Sequence, residues 1–183
     1  MSTPENSPYD DVVTLRDIAA VFTGEGLLRQ LAVVAGLLTV GGVVFGLVPV
    51  LYGEFGNHLF LYPSEFGPQL RQNLTALIVF NYAPYLAPAL ACVVGVALGA
   101  RTAANHRTVA VSAVTGAFVG CLLFVLVSSA LAHSQFGIVE NFIGFRDEVP
   151  PYNTASHLVN GLLTGIVGAV SALGGSLAGS LMR

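Results

Sequence analysis

Hydrophobic residues run along this chain in four long blocks, each free of charge inside. Twenty-four uncharged residues separate Arg29 from Glu54, and 29 separate Arg71 from Arg101. A third block runs from Thr108 to Ala132 and a fourth from Leu158 to Met182. A helix needs about 20 apolar residues to cross a bilayer, and soluble helices rarely reach that length four times in succession. The pattern predicts an all-α fold, an integral membrane four-helix bundle with spans near 29–52, 74–100, 107–132 and 154–181. Residues 29–183 then form one transmembrane domain.

Ahead of it, residues 1–9 are polar and proline-containing and are expected to be disordered. Residues 10–28 read as a cytoplasmic amphipathic segment, because Val12, Leu15, Ile18, Ala19 and Phe22 recur at helical spacing. Its acids, Asp10, Asp11 and Asp17, disfavour anionic headgroups, so contact with the bundle or a partner is the expectation. The first 26 residues have no apolar core region of the signal-peptide kind, and the first span is expected to direct insertion.

The outward connections, near 53–73 and 133–153, are apolar for loops. Phe55, Leu59, Phe60 and Phe66 lie in the first, and Phe136, Phe142, Phe145 and Tyr152 in the second. Aromatic residues at that level suit the membrane interface, as anchors or as a docking surface.

Small residues form stripes within the spans. Gly161, Gly165, Gly168, Ala172, Gly175 and Gly179 follow one another at steps of 4, 3, 4, 3 and 4, which keeps them on one helical face. The first span aligns Ala32, Ala35, Thr39, Gly42, Gly46 and Pro49 in the same manner, and the next two carry Gly95-x-x-x-Gly99 and Gly116-x-x-x-Gly120. Such faces let helices approach backbone to backbone. The two full stripes are expected to form a helix-packing seam, the first span against the fourth, with an oligomer as the alternative. Matching Arg29 with Arg107 also aligns Ala32 with Ala110 and Gly42 with Gly120. That predicts two repeated hairpins about an axis along the membrane normal.

Composition and charge set the surroundings. Hydrophobic residues are 54% of the chain and charged residues 9%, against roughly 25% charged in soluble domains. Lipid must therefore solvate most of the surface. All seven basic residues are arginine, and ten acids bring the net charge to −3, which argues against nucleic acid as a partner. Arg16, Arg29, Arg101, Arg107 and Arg183 fall on the side of the termini, and only Arg71 and Arg146 on the other. The positive-inside rule then puts both termini in the cytoplasm of a multi-pass cell-membrane protein.

Candidate chemistry is sparse. Asn81, Tyr85, His157 and Asn160 lie at comparable depth in the outer leaflet and are the candidates for a polar pathway. Pro84 and Pro88 are expected to kink the second span beside them. His133 and His157 stand near helix ends rather than opposed in mid-membrane, so neither a metal nor a cofactor is expected. Ser128 and Ser129 precede His133 without an acid or a nucleophile-elbow motif, and no catalytic residue is assigned. Cys92 and Cys121 differ in depth by roughly 7 Å and read as free thiols.

The segments YLAPALACVVGVALGAR (Tyr85–Arg101) and ALGGSLAG (Ala172–Gly179), within four spans, resemble uncharacterised four-helix membrane proteins of haloarchaea. The resemblance implies a membrane location and assigns no activity or functional residue. The expected function is a non-enzymatic structural or partner-binding membrane component, with membrane lipid and a membrane-protein partner or second copy as its contacts. The alternative is a small transporter or channel-forming subunit.

Overall fold

The computed structural model describes residues 25–55, 68–101, 106–135 and 152–182. They form five helices: α1 (Glu25–Gly46), α2 (Val48–Phe55), α3 (Pro68–Arg101), α4 (His106–Ser134) and α5 (Thr154–Leu181). Four stretches are long and apolar enough to cross a membrane: Gly26–Leu51, Gln72–Arg101, His106–Ser134 and Thr154–Leu181. The all-α four-helix bundle is therefore the architecture, as the hydropathy pattern predicts. The N-terminal tail, residues 10–24 of the amphipathic segment and residues 56–67 and 136–151 of the outer connections, His58 included, lie outside the described residues.

Span 1 is made of two helices. Pro49 has no N–H to give to the Phe45 carbonyl and its ring crowds that turn, so the regular ladder stops at Leu47. Leu47 N–H is shared between the Val43 and Val44 carbonyls at 3.0 and 3.3 Å, and Val50 N–H reaches back only three residues, to the Leu47 carbonyl, at 3.1 Å. The chain thus passes the break without leaving the membrane path. Span 2 behaves differently: α3 remains helical through both Pro84, which is half-buried, and Pro88, which is buried in the bundle. Span 4 opens with a cap, the Asn153 side chain accepting the Ser156 N–H at 3.0 Å.

The spans pack as a rhombus. Span 3 touches the other three and is the most buried of the four. Spans 2 and 4 share an extensive contact, and spans 1 and 4 stand at the far corners. Span 1 lies against span 3 with both running the same way: Val34 meets Gly116, Leu38 meets Gly120, Phe124 meets Gly42 and Ser128 meets Gly46. The Ser112 hydroxyl and Gln30 Oε1, 3.0 Å apart, extend this register. Spans 2 and 4 also run the same way, with Gly95 beside Ala172 and Gly99 beside Ser176.

This order corrects two expectations. Span 1 does not form a seam with span 4, because each uses its glycines on a different neighbour. Nor do the hairpins repeat about an axis along the membrane normal. A two-fold exchanging them would carry the contact between spans 2 and 3 onto spans 1 and 4, which lack a comparable one. The reason lies in the side chains. Span 3 has small residues on more than one face, Gly116 and Gly120 toward span 1 and Ala117 and Cys121 toward span 4. The remaining faces of span 1 carry exposed Val33, Leu37, Val40 and Val44, which suit lipid.

The core is built mostly from small residues, with Phe124, Leu38 and Val34 as its large members. Ala83, Ala87, Ala91, Ala113, Ala117 and Cys121 are fully buried and surround Phe124, whose ring lies 6.0 Å from that of Phe45. Large apolar side chains point outward instead, among them Leu163, Ile166, Val167 and Val170 on span 4. In lipid, apolar side chains gain nothing by leaving the solvent, so close backbone contact is what holds such helices together.

Candidate functional site

The glycine seam comes first because it places everything else. Within span 4 the stripe divides between two neighbours. Its outer half faces span 3: a Cβ built on Gly161 would stand 2.8 Å from Leu122 Cδ1, one on Gly165 3.0 Å from the Phe118 carbonyl oxygen, and one on Gly168 against Cys121 Sγ. Its inner half faces span 2, where Gly175 and Gly179 press on the carbonyls of Cys92 and Val96, and Ala172 is buried beside Gly95. In span 1, Gly42 and Gly46 press on the backbone of Phe124 and Ser128, with built Cβ distances of 2.7 and 2.8 Å to their Cα atoms. Every seam residue therefore faces a helix of its own chain.

The four pathway candidates do not meet in an enclosed cavity. Asn81 and Tyr85 are exposed on the outside of α3, Tyr85 at 76%, and Asn160 is exposed on the outside of α5. Only His157 turns inward. Its ring stacks between Tyr152, at 4.6 Å, and Phe80, at 5.6 Å, while His133 lies 5.2 Å from Tyr152 and 6.5 Å from Phe80. These four rings tie the outer ends of spans 2, 3 and 4 together. Burial raises the pKa of the Tyr152 hydroxyl above its ordinary value, so the ring stays neutral at physiological pH.

Three of the hydroxyls buried in the spans bond within their own helix. Ser128 donates to the Val125 carbonyl at 3.3 Å, Thr164 to that of Asn160 at 2.7 Å and Ser176 to that of Leu173 at 2.9 Å. Such back-bonding satisfies these three without a partner across the bundle, whereas Ser112 bonds both the Val109 carbonyl and Gln30. Among the described residues no three of histidine, cysteine, aspartate and glutamate gather as a metal-binding group, and Cys92 and Cys121 are free thiols. Sequence reasoning missed Phe80 and Tyr152 as the partners of His157, and Gln30 as the partner of Ser112. The first pairing depends on the rotation of α3, which its glycines set more than 20 Å away at about 1.5 Å per residue. A lone glutamine one turn inside a span was the only signal for the second.

These features define a multi-pass membrane protein whose helices are joined by close glycine contacts. Set against known protein families, curated proteins and solved structures, the chain shows no match.

Proposed function

We propose that this protein is a non-enzymatic structural or partner-binding component of the cell membrane, with both termini in the cytoplasm. The observation that carries the reading is the filled middle of the bundle. Phe124 and a shell of fully buried alanines occupy the position where a transporter of this size would keep its path. Asn81, Tyr82 and Tyr85 instead form an outward patch in the outer half of span 2, suited to a neighbouring membrane protein.

Two measurements test it. In liposomes the protein should leave ion and small-solute permeability at the level of empty vesicles, and a photo-crosslinking residue at Tyr82 or Tyr85 should give one discrete protein adduct in native membranes. Facilitated flux that disappears on replacing Asn81 or Asn160 would establish the transporter alternative. Orientation is tested separately: a fluorescent protein that folds only in the cytoplasm should be bright when fused to the C-terminus, and a dark fusion would reverse the topology.

A further inference from the structure

Spans 1 and 2 form a wedge. At mid-membrane they are close, a Cβ built on Gly41 lying 3.8 Å from Leu90 Cδ1. Toward the side of the termini they part, leaving a groove of about 350 Å³ lined by Gly26, Arg29, Gln30, Val33 and Leu98. Gln30 is held toward Ser112 of span 3. Counted from Gly41 at about 1.5 Å per residue, Gln30 lies roughly 16 Å from mid-membrane, close to the roughly 15 Å depth of one hydrocarbon leaflet, and the lined stretch, Gly26 to Val33, is roughly 10 Å long.

The size decides between occupants. A helix about 10 Å across would need roughly 800 Å³ over that length. A single acyl or isoprenoid chain fits. The charge at the open end decides which lipid. Arg29 lines the wall with its aliphatic stem, which leaves its guanidinium at headgroup level. Arg101, one turn beyond Leu98 and level with Gln30 by the same count, is also exposed. Neither makes an ion pair among the described residues, and the two arginines outnumber Glu25, the acid that opens α1 at the same rim. We infer that the groove between spans 1 and 2 is a binding site for one anionic phospholipid of the leaflet facing the termini, its chain along Val33 and Leu98 and its phosphate at Arg29 and Arg101. This site lies on the opposite side of the membrane from the Tyr85 patch and does not depend on it.

Native mass spectrometry of the full chain in a mild detergent tests the site, with phosphatidylglycerol and phosphatidylcholine of identical chains as probes. The wild type should retain one phosphatidylglycerol under activation that strips phosphatidylcholine. Arg29→Gln and Arg101→Gln should each lower that retention about fivefold, the equivalent of about 1 kcal/mol per arginine near a membrane surface. Val33→Trp, at a half-exposed position, should fill the groove and release the lipid while the unfolding midpoint stays unchanged. Glycerol 3-phosphate, which has the charge without the chain, should not bind. Equal retention of the two lipids, unchanged retention in the double arginine variant, or binding of glycerol 3-phosphate would each overturn the proposal. So would efficient disulfide formation between Leu15→Cys and Val33→Cys, because the chain's own N-terminal segment would then fill the groove.

Discussion

Phe124 is the largest fully buried side chain, and its fit depends on what its neighbours lack. Gly41 leaves room for its ring and Gly42 for its backbone, a built Cβ on Gly41 lying 3.3 Å from the ring edge. Truncating such a residue leaves a hole that small rigid neighbours do not close. Phe124→Ala should therefore lower stability in detergent unfolding by about 3 kcal/mol, and Phe124→Leu by well under half of that. A loss below about 1 kcal/mol for the alanine variant would show that the spans collapse onto one another. The Ser112–Gln30 bond is a smaller effect. Ser112→Ala should cost about 0.6 kcal/mol, the average for such contacts between membrane helices.

At the scale of the helix, the spans were legible in the sequence because the bilayer imposes a length and forbids charge. Span 4 has the expected limits, 154–181, and span 3 extends by only a residue or two at each end. The break in span 1 and the unbroken passage of α3 through two prolines were not legible. Proline has the same local effect in both, but whether a helix stops depends on the neighbours that shield the freed carbonyl. Pro49 sits where span 1 turns onto span 2 through α2, whereas Pro84 and Pro88 lie within the packed face of α3. Restoring the donor should mend the first break. In Pro49→Ala the amides of residues 47–50 should exchange hydrogen more slowly than in the wild type, and unchanged or faster exchange would assign the break to packing.

At the scale of the molecule, the neighbour order was the part hidden from the sequence. A stripe of small residues announces close approach but does not say to which helix, and span 1 and span 4 offered equally smooth faces. Span 3 decides the matter by being small on two sides. The outward polar residues were misleading for a related reason: depth can be counted along a helix, whereas rotation about its axis is set by packing elsewhere. Because spans 1 and 3, and spans 2 and 4, are the closest parallel pairs, most of the contact in the bundle lies between the two hairpins. Fragments 1–103 and 104–183, expressed together from separate genes, should consequently associate in the membrane and co-purify through a tag on one of them. Recovery of the tagged half alone would mean that each hairpin stands by itself.

The central claim is that the glycines of span 4 are an internal seam. Gly174 and Gly175 are adjacent, equally deep and identical in hydropathy, yet a Cβ on Gly174 meets nothing within 4 Å while one on Gly175 runs into the Cys92 carbonyl. Unfolding of Gly174→Leu and Gly175→Leu, compared side by side in the same detergent, separates the face from the composition. Gly174→Leu should match the wild type within about 0.5 kcal/mol, as surface substitutions do. Gly175→Leu should lose more than about 3 kcal/mol or fail to fold, since backbone cannot move aside. Equal tolerance of both, or equal loss from both, would contradict the account.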